Sequence, residues 1–236
     1  MLGSQHLLLS LFTAAALALP LYLGGFLLPT LFLLFLAGVF IGSLAPDADA
    51  PDAAIFHKAR GSWLLGKLGR AVGWILPLFG YVLKWLVYKP LALVFGGDEH
   101  RGLMHSLLGL VAATVLIGVY LAAAAFWLEF FDFAGLAAFL FGFAFGFLLH
   151  LFEDACTVSG VDLGYPFRSL KFSGNARTGE GWKVDLFVFL FGLLVAGVWL
   201  GFYSLSWRLL FKESAVLAAV AAAWLLLFLA CGARRK

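Results

Sequence analysis

Six apolar runs constrain this chain more than any other feature of it. Residues 7–23, 26–44, 103–128, 133–152, 184–203 and 214–230 carry almost no charge. Each is near the ~20 residues an α-helix needs to cross a bilayer core. The mean hydropathy of +1.02, with 8 tryptophans and 26 phenylalanines in 236 residues, exceeds what a water-soluble core requires. The expected fold is therefore all-α: a polytopic membrane protein of about six transmembrane helices with additional interfacial or re-entrant helices, in a single membrane-embedded domain over residues 1–236.

The segments between the runs carry the detail. Ala16-Leu17-Ala18 has the look of a signal-peptidase site, but Met1 to His6 contains no Lys or Arg, so the first run is expected to be a retained span. From 55 to 97, Lys58, Arg60, Lys67, Arg70, Lys84 and Lys89 alternate with Trp63, Trp74, Trp85 and several leucines. That mixture suits an interfacial or re-entrant insertion. A full crossing is disfavoured there because Pro77 interrupts the most apolar part and Lys84 and Lys89 crowd its end. Residues 158–183 read as an ordered loop punctuated by Gly160, Gly164, Pro166, Gly174, Gly179 and Gly181.

With six crossings, both termini and the segments 45–102 and 153–183 fall on one side. All of the 16 Lys and Arg residues except Arg208 and Lys212 lie there, so the positive-inside rule makes that side cytoplasmic. The net charge of +3 is spread between apolar runs, and no basic block with interleaved aromatics stands alone, which excludes nucleic acid as the expected partner. Cys156 and Cys231 make no repeated pattern, so reduced thiols rather than a disulfide framework are expected.

The same topology brings all five histidines and two acidic clusters, at Asp47 to Asp52 and at Glu153-Asp154, to one face. His150 and Asp154 share a helical face at i, i+4. Asp47 and Asp49 sit between Pro46 and Pro51, which favour a turning or extended backbone. Taken alone these two carboxylates suit a helix-capping turn equally well. His100 and His105 bracket Arg101 and Gly102, and the glycine permits a tight turn before the third run. Helix-end caps and snorkelling side chains are the plain alternative for such residues. That alternative leaves the absence of histidine from the far side unexplained. Imidazole and carboxylate donors suit zinc, iron or manganese, and the lack of a paired-cysteine motif argues against a structural zinc site. The candidates outnumber the ligands of one tetrahedral ion. Two ions are a constellation that serves phosphate-ester hydrolysis.

The motifs H-L-L-L-S from His6, L-A-P-D-A-D with Asp47 and Asp49, H-R-G-L-M-H-S-L-L from His100 and H-L-F-E-D-A-C-T-V-S-G-V from His150 occur in that order, followed by Pro166. In this the chain resembles the YdjM-like family of inner-membrane metal-dependent hydrolases, over His6 to about Glu180. It departs from the family pattern at Ala45 before Pro46-Asp47, at Met104, and in a long apolar insertion between Asp52 and His100. None of these removes a ligand. The family is distantly similar to zinc-dependent phospholipase C, whose metal sites include an H-x-x-x-D pair. The resemblance implies phosphoester hydrolysis by a divalent metal centre, with two ions, zinc first and manganese or iron next.

His105, His150, Asp154 and Asp47 are the leading ligands, joined by His100 and His6. Asp49 is a ligand or the base that takes a proton from water. Arg101 clamps phosphate or anchors the helix end in lipid. Arg177, Glu180 and Thr157 are candidate substrate contacts, Thr157 being equally a turn cap. His57, outside the motifs, reads as interfacial. The expected function is hydrolysis of a phospholipid or other lipid phosphate by a metal-activated water at the cytoplasmic surface of the inner membrane. The alternatives are a metal-ion transporter, which would carry ligands at mid-membrane and repeated halves, and a non-catalytic protein with a structural metal.

Overall fold

The computed structural model describes residues 3–49, 77–95, 102–177, 182–203 and 213–235. They form seven helices: α1 (Gly3–Leu23), α2 (Pro29–Gly42), α3 (Pro77–Phe95), α4 (Leu107–Trp127), α5 (Phe133–Ala155), α6 (Trp182–Tyr203) and α7 (Glu213–Cys231). All except α2 are long and apolar enough to cross a membrane. Helices satisfy every backbone group internally, which is why apolar runs of this length adopt them in lipid.

Among the described residues the number of helices with the length and composition of a span thus equals the expected six. Residues 26–44, expected to be a full span, yield only the 14-residue α2. Gly24-Gly25 and Pro29 delay its start, and the helix ends before Ser43. At ~1.5 Å per residue it covers about 21 Å, short of the ~30 Å hydrocarbon layer. Within the 55–97 segment α3 has 19 described residues and a mean hydropathy of 1.4, with Pro77 the first of them. A π-helical stretch, Leu83–Tyr88, occupies its middle and packs against a 3₁₀ turn at Pro46–Asp49, while its last turns approach a second one at Leu103–His105.

Local chemistry sets the helix ends. Asp132 caps α5, its carboxylate accepting from the Ala134 and Gly135 amides at 3.0 Å each. Ser106 caps α4 by accepting from Gly109 N at 3.1 Å while donating to Leu103 O at 2.7 Å. Gly25 turns the chain between α1 and α2 at φ +80°. Beyond α5 the chain makes a small antiparallel sheet, β1 (Val161–Asp162), β2 (Lys171–Ser173) and β3 (Arg234–Arg235), in the order β1-β2-β3. This sheet adds to the all-α expectation: the chain's end pairs with the loop that follows α5.

Among the described residues the closest helix packing is between α2 and α5. Gly38 and Gly42 face Gly142 and Gly146, a four-residue spacing of small residues on both helices. A Cβ built on Gly42 would lie 2.0 Å from Phe143 O, and one on Gly142 2.0 Å from Phe35 O; Gly38 and Gly146 would meet Phe139 O at 2.1 Å and Val39 O at 2.3 Å. Each obstacle is backbone, so no rotamer change relieves it. In lipid, where helices gain little from the hydrophobic effect against one another, such small-residue contacts drive association. Gly42→Ala is expected to cost about 1–3 kcal/mol through overpacking, read as a lower melting temperature in detergent. Gly118→Ala is the control, because its added methyl meets only the end of the Leu140 side chain, at 3.0 Å, and should leave melting nearly unchanged.

Candidate metal centre

Four separate segments meet where α2 and α5 end. His6 lies in the second turn of α1, and Asp47 in the 3₁₀ turn that follows α2. His105 comes from the turn before α4, and His150 and Asp154 from the last turns of α5. The glycine crossing aligns α2 with α5, so the chain leaving α2 passes directly beside His150: Ser43 O accepts from His150 Nδ1 at 2.7 Å. A carbonyl only accepts, so Nδ1 carries a proton and Nε2 is the ring nitrogen turned toward the carboxylates. The Leu103–His105 turn folds tightly over the start of α4, where a Cβ on Gly109 would come within 2.2 Å of Leu103 O. The loop after β1 holds it there, Leu107 N donating to Leu163 O at 3.1 Å.

His105 Nε2 stands 3.4 Å from both Asp47 Oδ1 and Asp154 Oδ2. His150 Nε2 stands 3.6 and 3.7 Å from the same two oxygens and has no hydrogen-bond partner among the described residues. These spacings exceed ordinary hydrogen bonds. They approach the roughly 3.4 Å that separates ligand atoms around a tetrahedral ion with ~2.0–2.1 Å bonds. The four side chains fit a divalent ion in both chemistry and spacing. His6 stacks on His150, ring centroids 4.3 Å apart, and its Nε2 is 3.8 Å from the other carboxylate oxygen of Asp154. Asp154 thus turns one oxygen toward His105 and His150 and the other toward His6.

His6, His105, His150 and Asp154 are buried, whereas the Asp47 side chain is 24% exposed. Asp47 therefore marks the open side. Burial works to raise its carboxyl, but the His150 and His105 imidazoles outweigh that and hold it far below the usual carboxylate range. A depressed carboxyl contributes stability above its unfolded value and loses it only as pH falls through the folded one, so Asp47 stays ionised at any working pH.

Of the residues expected from sequence, His6, Asp47, His105, His150 and Asp154 are brought together. Asp49 shares the Pro46–Asp49 turn, but its side chain lies outside the described residues, as do His57, His100, Arg101 and Glu180. Thr157 spends its hydroxyl on the turn after α5, donating to Asp154 O at 2.7 Å and accepting from Gly160 N at 3.2 Å; this is the turn-cap role. Arg177 is exposed and lines a cavity of about 300 Å³ with Asn175, Trp182 and Lys183. The described walls of that cavity include none of the five clustered residues.

A model of the YdjM inner membrane protein family matches residues 1–236, the whole chain. The chain belongs to that family. It is accordingly an inner-membrane protein, integral through its candidate spans. No curated protein and no solved structure matches it significantly.

Three further residues shape the centre and were not singled out by sequence reasoning. Glu153 is fully buried, with Oε2 2.5 Å from His6 Nδ1 and Oε1 accepting from Ser10 Oγ at 2.9 Å. Glu153 thus holds the His6 ring with Nε2 turned toward Asp154, the carboxylate–histidine arrangement that orients metal ligands. Ser43, through its carbonyl, does the same for His150. The available signals were Glu153 beside Asp154 at the end of an apolar helix, and Ser10 four residues after His6. Glu153→Gln is expected to weaken zinc binding about 10–100-fold, measured by competitive chelator titration, while the circular dichroism spectrum is unchanged.

Proposed function

We propose that this chain is a membrane-embedded, metal-dependent phosphoesterase that acts on a phospholipid or another lipid phosphate at the cytoplasmic face of the membrane. The observation that carries this reading is the convergence of His6, Asp47, His105, His150 and Asp154 from four segments, with imidazole nitrogens directed at carboxylate oxygens 3.4–3.8 Å away. Asp154, with one oxygen toward His105 and His150 and the other toward His6, could serve two ions, which favours two over one. Zinc suits the mixed imidazole and carboxylate donors best, and manganese or iron next. Divalent ions in such a centre polarise phosphoryl oxygens and acidify water.

The protein's own groups set the terms of that chemistry. Glu153 and Ser43 O fix the tautomers and directions of His6 and His150. The buried walls exclude bulk water, which strengthens every charge interaction inside. Asp47, ionised and on the open side, is the group an arriving phosphate would meet. The adjoining Asp49 is positioned by sequence to take a proton from water, and Arg101, next to His100, to hold a phosphate oxygen. The position of the centre at helix ends supports a lipid substrate, since the headgroup reaches the ligands while the tails stay among exposed apolar side chains. The distant likeness of the His150–Asp154 pair to that of zinc-dependent phospholipase C supports phosphoester chemistry. The excess of cations on the segments flanking the centre supports a cytoplasmic orientation. Ligands at helix ends, not at mid-membrane, weigh against a transporter.

Metal analysis of the purified protein, with a phosphatase and phospholipase screen on mixed phospholipid vesicles, tests the reading. The wild type is expected to retain zinc and release phosphate or phosphorylated headgroups. His105→Ala and Asp154→Ala should each lose most of the metal and at least ~10²-fold of the activity. Full metal retention in both variants would overturn the constellation. Bound metal with no phosphoester cleaved in any vesicle would favour a purely structural ion.

A further inference from the structure

Cys156 and Cys231, unrelated by any sequence pattern, meet at the ends of α5 and α7. Both are free and buried in the same apolar cluster, with thiols close enough to interact. One short segment runs between them: Asn175 N donates to Cys231 O at 2.7 Å and Ala176 N to Cys156 O at 3.0 Å. A Cβ built on Gly174 would lie 2.3 Å from Cys156 O and 2.8 Å from Cys231 O. Those carbonyl oxygens are thus at most about 5 Å apart, a backbone proximity compatible with the 4.4–6.8 Å Cα separation of disulfides.

One member borders open space: Cys231 lines the cavity of about 300 Å³ together with Arg177 and Lys183. The Lys183 ammonium is hydrogen-bonded to Ala230 O at 3.4 Å, one residue from Cys231. Cations beside a thiol favour its attack on a disulfide. The other end of the pair is tied to the metal centre. Cys156 follows Asp154 by two residues, and its amide donates to Glu153 O at 3.1 Å.

We propose that Cys156 and Cys231 form a reversible disulfide that ties the end of α5 to the end of α7 and so tunes the neighbouring metal centre. A small-molecule disulfide entering the cavity is the oxidant. One cysteine sulfur attacks it, loses its proton and releases one thiol. The other cysteine then attacks the mixed disulfide, loses its proton and releases the second thiol. Two S–H bonds and one external S–S bond are consumed, and one internal S–S bond and two external thiols result. Closing the bridge pulls on the Cys156 backbone, and the turn carrying Glu153 and Asp154 moves with it.

The bridge itself is independent of the proposed function; only its effect on metal rests on that reading. The full chain in detergent is treated with oxidised glutathione, then alkylated, digested without reductant and mapped by mass spectrometry, with zinc affinity measured before and after. The expected result is a Cys156–Cys231 cross-linked peptide within one chain, with both thiols lost together, absent from Cys156→Ser and Cys231→Ser. Zinc affinity should shift several-fold, less than the about 10–100-fold caused by losing an outer-shell partner. It should return on reduction, and oxidant should leave it unchanged in Cys231→Ser. Thiols that remain alkylatable, or bridges formed only between chains, would overturn the proposal. A bridge that forms while zinc affinity stays constant would overturn its regulatory part. Failure of the reduced protein to bind zinc at all would count against the metal centre, leaving the mapped bridge standing.

Discussion

The backbone-to-backbone contact of α2 with α5 is the constraint on which the rest of this protein depends. Four glycines let two helices approach until a single methyl on either would collide with a carbonyl of the other. Helices held this closely have their register fixed as well as their distance. The chain leaving α2 is thereby delivered to His150, where Ser43 O accepts a hydrogen bond and Asp47 comes within reach of two imidazoles. A looser crossing would leave the same residues near one another without the tenths of an ångström that ligand geometry demands.

A polar cluster at the end of an apolar bundle is tolerable only if its members answer one another. Burying an unpaired charge in a low-dielectric interior is costly. Here the carboxylates face imidazoles, Glu153 is bonded by both His6 and Ser10, and His150 is held by a backbone carbonyl. The arrangement leaves imidazole nitrogens and carboxylate oxygens directed inward at spacings that suit a cation. Structural satisfaction and ligand presentation are thus produced by the same contacts. The C-terminal β3 strand, paired with β2, and the Cys156–Cys231 contact brace this end of α5 from the opposite side.

Much of this was legible in the residue order. The apolar runs announce membrane helices because the hydrophobic signal is local and long. His150 and Asp154 are readable as a pair because helical spacing alone puts them on one face. Hydropathy measures apolar character, but Gly24-Gly25, Pro29 and the stop at Ser43 limit α2 to 14 residues, and residues 77–95 are helical although Lys84 and Lys89 lie among them. Thr157 could be read as either a contact or a cap, and only the position of Asp154 O makes it a cap.

Sequence by itself determined the solvent, the class of structure and the kinds of side chain at the candidate site: a bilayer, helices, and imidazoles with carboxylates gathered at helix ends. These follow from residue type and short-range spacing. Tertiary structure alone decided that Glu153 orients His6, that Asp154 turns its two oxygens to different partners, and that Cys156 meets Cys231. Each of these joins residues far apart along the chain, and their meeting is set by how closely helix backbones approach. That distance is governed by glycines whose spacing is visible in the sequence but whose partners are not.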